Sequence, residues 1–140
     1  MTAPVSRGGS VSSGLTTTSP AAPAIGDLVV CLTWERAGAG VPTHTLQTNF
    51  VEIISHAHDD GSTDGRLSCA YKIATSAGAT SYQPYTTSGS GTVYTGCIVF
   101  AISTFDVASL PTSAGNTQTN NVAPNPPSVT GLTGDFVVFS

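Results

Sequence analysis

Charge is what this chain has least of. Only 9% of its 140 residues are charged, against roughly 25% in an ordinary soluble domain. The fixed cations are Arg7, Arg36, Arg66 and Lys72, and the net charge is −4. Nothing here forms a basic stripe that could neutralise phosphates, so nucleic acid is excluded as a partner. Long apolar runs are also missing. The longest, Cys97 to Ile102, is far too short to span a bilayer, so no membrane partner is expected. Met1 to Val5 has neither a basic start nor an apolar stretch, so no secretory signal is expected. No window shows the 3.6-residue period of an amphipathic helix. No nucleophile-and-base set or phosphate loop stands out, which argues against an enzyme.

Cysteine is scarce and odd in number. Cys31, Cys69 and Cys97 all fall inside predicted strands, where reduced thiols act as small hydrophobes. Folding in a reducing cytoplasm fits that usage.

Hydroxyls and turns take the place of charge. Ser and Thr make up roughly a quarter of the chain, alongside 15 Gly and 9 Pro. Such a composition also marks disordered chains, but 39% hydrophobic residues in discrete runs argue for a packed core beyond the N-terminus. At this length one domain is the default. Residues 1–25 read as an extended arm, with one short edge strand near Val11 to Thr17. Residues 26–140 read as the folded domain.

A turn-plus-strand unit occurs twice. Gly26-Asp27-Leu28-Val29-Val30 returns as Gly134-Asp135-Phe136-Val137-Val138, each behind a Pro-containing approach. Gly supplies unusual backbone angles and Asp local hydrogen bonds, so both copies are strand starts. Leu28 to Trp34 is apolar almost throughout, as in a strand covered on both faces. Leu46 to Ser55 reads as a strand with Val51 and Ile53 on one face, Phe50 and Ile54 on the other. His56 to Gly65 is a polar loop. Leu67, Cys69, Tyr71 and Ile73 then alternate with Ser68, Ala70, Lys72 and Ala74, the period of a half-exposed strand. Ser81 to Thr87 is a short strand, Val93 to Ser103 a central one, and 104–128 a long connection before the last strand. Short strands at this spacing predict an all-β fold, an antiparallel β-sandwich or jelly roll.

Ile53 to Gly61 contains His56, His58 and Asp60 in the order His-x-His-x-Asp, which resembles the zinc motif of the metallo-β-lactamase superfamily. Gly61 stands where that motif needs another histidine, and the further ligands and helices are missing, so a catalytic metal is not expected. Asp59, Asp60 and Asp64, with Ser62 and Thr63, form an oxygen-rich loop that could hold a structural calcium ion. The competing reading is a solvated hairpin loop with Asp64-Gly65 at its turn. Trp34 reads as core. Tyr82 and Tyr85 are the aromatic candidates for an exposed partner contact, a sugar included. Glu35 and Glu52 are too isolated to be an acid/base pair.

Four segments together resemble a recurrent β-sandwich module of tailed-bacteriophage virion proteins. They are Gly26 to Val30, Arg66-Leu67-Ser68-Cys69-Ala70-Tyr71-Lys72-Ile73-Ala74, Ala77 to Tyr82, and Gly96-Cys97-Ile98-Val99-Phe100-Ala101. In that module a "GDL" strand is followed by "YYKVAT", "GETSY" and "IVAYRG" segments, and the likeness spans roughly 20–140. The module's "PPAGW" element after the first strand is replaced here by Val41-Pro42-Thr43-His44. Ser140 falls inside the second Gly-Asp strand, as in a truncated chain or a strand completed by a neighbouring subunit. The resemblance implies a virion structural protein assembled in the host cytoplasm, of decoration, head-fibre or tail-associated type. A capsid decoration (cement) protein is the leading expectation, with the major capsid protein and other copies of itself as partners and a homotrimer as its assembly. The arm residues Arg7, Val11 and Leu15 would then make lateral or capsid contacts. The alternative is a receptor- or glycan-binding module of a head or tail fibre.

Overall fold

The computed structural model describes residues 5–19, 22–59, 61–78 and 80–101. Nine strands form among them and no helix, so the all-β expectation holds. The second Gly-Asp unit and the 104–128 connection lie outside the described residues.

Five strands build one antiparallel sheet: β1 (Ser6–Ser13), β3 (Leu28–Arg36), β5 (Val51–His58), β6 (Gly65–Ile73) and β9 (Thr92–Phe100), in the order β1-β9-β3-β6-β5. As expected, β9 is internal. Two short ladders complete the described fold, one pairing β2 (Thr17–Thr18) with β7 (Ser81–Tyr82), the other β4 (His44–Leu46) with β8 (Tyr85–Thr87). Both lie on the same face of the large sheet, giving a sandwich-like arrangement of two layers. The described strands do not complete a jelly-roll connectivity.

The arm contributes β1, which starts earlier than expected and is the edge of the chain's own sheet, from Ser6 opposite Phe100 to Ser13 opposite Tyr94. Leu15 is half-buried beyond its end. Arg7 ties this edge to the start of β3, its Nε donating to Asp27 Oδ2 at 2.6 Å. Asp27 is fully buried and also accepts the Ala24 N–H at 2.7 Å. Gly26 sits inside that turn at φ 93, a conformation in which other residues are strained.

The inner face of the sheet has an apolar half and a polar half. Val29, Cys31, Cys97, Val99 and Ala74 pack with Tyr82 into the apolar cluster, and Phe50 flanks it. Cys31 and Cys97 are register partners with no disulfide between them, and Cys69 is also a free thiol. Burial pushes the Cys69 thiol up to about 11 and the Cys31 thiol further.

Several sequence readings are corrected. Trp34 is 40% exposed rather than core, because among the described residues the short ladders layer only the opposite face of β3. The expected Ser81 to Thr87 strand divides at Gln83-Pro84 into β7 and β8; Pro84 brings no N–H to a ladder. Leu46 to Ser55 divides at Asn49, which adopts a positive φ of 73. The strand then continues through His58, residues read from sequence as loop.

A bulge in β5 matters most. The register with β6 shifts between Glu52 and Ile54, which changes the phase of every residue beyond it. Val51 therefore shares a face with Ile54, His56 and His58 rather than with Ile53.

Candidate functional site

Register defines the outer face of the sheet. Trp34 lies between Tyr94 on β9 and Leu67 on β6, and Leu67 opposes His56 on β5. One row further, Arg36 opposes Gly65, which opposes His58. Towards the other end, Val11, Leu32, Val30, Ile98 and Val51 form apolar rows. Among the described residues no strand is layered on this face. Val11 is 76% and Tyr94 42% exposed, while Phe100 and Tyr71 at the far end are buried.

At the Trp34 end the face opens into a cleft of about 350 Å³, bordered by Trp34, Arg36, His56, His58, Gly65 and Leu67. Gly65 supplies its low point for a backbone reason: a Cβ there would meet the Glu35 carbonyl oxygen at 2.7 Å. Tyr94 stacks on Trp34 with centroids 5.9 Å apart and planes inclined by 24°. Tyr94 is on the β9 side of Trp34, so the ring is braced there and meets the cleft on the β6 side. His56 Nε2 is shielded from solvent and has no hydrogen-bond partner among the described residues.

Beneath the same residues, on the inner face, lies a buried polar network. Glu35 is fully buried and accepts from the Thr87 hydroxyl and from the Gly91 N–H. The loop reaches it because Gly89 and Gly91 have no side chains; a Cβ at Gly89 would run into the Glu35 carboxylate. His44 Nε2 is 3.3 Å from Glu35 Oε2, near enough for charge coupling but off the line of a hydrogen bond. Its Nδ1 is 2.9 Å from Ser68 Oγ, which bonds Ser55 Oγ at 2.7 Å, and Arg66 holds Ser55 from the far side.

Ser68, His44 and Glu35 thus follow the order of a serine–histidine–acid relay. An attacking hydroxyl must face a substrate, whereas that of Ser68 is fully buried and faces Ser55. The network holds β3, β4, β6 and β8 together.

Burial holds His44 below its usual pKa, with Glu35 opposing that shift in part and Arg66 adding to it. The folded state therefore binds fewer protons than the unfolded chain between the lowered value and the ordinary one near 6.5. Stability from this site is present above pH 6.5 and is lost as pH falls through that window. Thermal midpoints should be level from pH 8 to 7 and drop below 6.5, and His44→Asn should flatten that part of the curve. An unchanged slope in the variant would place the titration elsewhere.

The aromatic and acidic candidates are redistributed. Tyr82 and Tyr85 are buried, so neither presents a ring to a partner; Tyr85 donates its hydroxyl to the Cys69 carbonyl at 3.0 Å. Trp34 and Tyr94 are the exposed pair instead. Asp64 is buried, accepts the Gly40 N–H at 2.5 Å and anchors the Ala37–Gly40 loop, while the positive φ of the hairpin falls at Gly61. Asp59 is exposed, and Asp60 lies outside the described residues. Among the described residues no three His, Cys, Asp or Glu side chains gather as metal ligands. Val11 is exposed on the outer face, and Arg7 is committed to Asp27.

Comparison with family models, curated proteins and solved structures finds no match to this chain.

Proposed function

We propose that this chain is a non-enzymatic structural protein of a phage particle, of the capsid-decoration type. The observation that carries the reading is the half-open sheet: Val11, Ile98 and Val51 are exposed on an outer face that no described strand covers. Contiguous exposed apolar surface marks protein–protein contact, and a surface with so few charges offers little repulsion between copies. Among the described residues β1 ends the sheet, an edge of the kind to which a neighbouring chain can add a strand. Many copies would each bridge capsid subunits, and modest contacts at several points would sum to oppose internal pressure. The resemblance in the Gly26, Arg66 and Gly96 segments supports the same reading.

Counting copies in purified particles by quantitative mass spectrometry tests it. Near-stoichiometric abundance with the major shell protein is expected, and absence from particles sinks the proposal. A few copies to a few tens would favour the second reading, a glycan-binding module of a head or tail fibre, for which the exposed Trp34–Tyr94 stack is the specific support.

A further inference from the structure

We propose that the cleft between Trp34 and His56 binds an acidic saccharide, a pyranose unit bearing a carboxylate. The inference shares the saccharide ligand of the second reading above but needs no particular place in a particle.

Three features define the ligand. The first is width. Trp34 and His56 stand two strands apart across Leu67, about 9.6 Å at the usual strand spacing. Two carbon–carbon contacts take up about 7.6 Å of that, so a single puckered ring fits between the two side chains with Leu67 as its floor. Gly65 in the next row leaves room for a ring substituent to descend beside Arg36.

The second is the aromatic wall. An exposed indole stacked by another ring only on its β9 side presents a flat, polarisable surface to the C–H face of a sugar. Tyr94 fixes the orientation of that indole before any ligand arrives, which reduces the ordering cost of binding.

The third is the polar rim. Arg36 is exposed, and its side chain makes no hydrogen bond or ion pair among the described residues. Its planar guanidinium matches a carboxylate with two parallel hydrogen bonds. His56 lines the opposite wall, and its Nε2 has no hydrogen-bond partner among the described residues, so a small rotation of the ring lets a sugar hydroxyl donate to it or accept from it. Two acidic residues border the cleft: Glu35 points to the other face and is held by Thr87 and Gly91, and Asp64 is buried and held by the Gly40 N–H, so neither pairs with Arg36 at the rim.

The molecule carries its own reporter, because Trp34 is the sole tryptophan. The full chain is titrated with tetragalacturonate and, separately, with chitotetraose while indole emission is followed. Tetragalacturonate should give a saturable change with a Kd of about 1 mM or tighter. Arg36→Gln, which keeps the reporter, should weaken it about tenfold. Trp34→Ala, followed by calorimetry, should abolish it while circular dichroism stays that of the native sheet. Tyr94→Ala provides a second variant with the reporter intact and should also weaken binding. No saturable response to either oligosaccharide overturns the site, as does binding that survives Trp34→Ala. Equal binding of chitotetraose with no effect of Arg36→Gln overturns the acidic class. Copy number in particles does not enter these outcomes, so the site and the virion reading fail separately.

Discussion

Replacing Glu35 with alanine should cost about 3 to 4 kcal/mol of unfolding free energy, because it strips a buried site of its central acceptor. The carboxylate is fully inaccessible and satisfies the Thr87 hydroxyl and the Gly91 N–H, with His44 Nε2 3.3 Å away. Alanine orphans the hydroxyl and the amide in a space that water reaches poorly and leaves a void where a methylene and a carboxylate stood. Part of the loss is returned, since a buried carboxylate is itself expensive to desolvate. Glu35→Gln separates the two contributions. Glutamine keeps the shape, keeps an acceptor for Gly91 and can bond Thr87 through its amide, so about 1 kcal/mol is expected. Guanidinium titrations of both variants decide the matter: equal losses would mean that the charge, and not the hydrogen bonds, holds the network.

Asp27→Ala should cost about 2 to 4 kcal/mol and loosen one edge of the sheet. Asp27 closes the turn that starts β3 by accepting the Ala24 N–H at 2.7 Å, and it receives Arg7 from β1 at 2.6 Å. Its own backbone is fixed as well, the Ala74 N–H donating to its carbonyl at 2.8 Å. The Arg7 side chain is 38% exposed, so the ion pair alone contributes only about 0.5 to 1 kcal/mol. Arg7→Gln should therefore fall well short of Asp27→Ala in stability. Both should raise hydrogen exchange at the β1 amides that pair with β9, since each releases the tie between edge and turn. Equal stability losses in the two variants would show that the pair, rather than the turn, dominates.

Much of the fold was legible because strand periodicity is a local property. The alternation from Leu67 to Ala74 is β6, and the apolar run from Val93 is β9, placed internally as its composition implied. The Gly26-Asp27 turn was also readable, since a positive φ and a side-chain acceptor leave a signature in residue type. The three thiols proved free.

The candidate site was legible only in part. Trp34, Glu35 and Arg36 alternate in sequence, so Trp34 and Arg36 had to share a face with Glu35 on the other. Which face was open could not be read, because an apolar run looks alike whether one or both of its faces are covered. His56 and His58 looked like loop residues, and no local pattern announces a bulge at Glu52 to Ile54. Tyr82 and Tyr85 were misjudged for the same reason: a tyrosine suits a core as well as a surface, provided its hydroxyl finds a partner.

By itself, the sequence determined the strand class, the low-charge surface, the reduced cysteines and the turn before β3, all consequences of residue type acting over a few neighbours. Tertiary structure alone decided that both short ladders lie on one face, that a single extra residue in β5 turns two histidines towards Trp34, and that Glu35, though beside Trp34 in the chain, is sealed beneath it. Those outcomes depend on register and on which surfaces meet across the chain, and a period of two residues is blind to both.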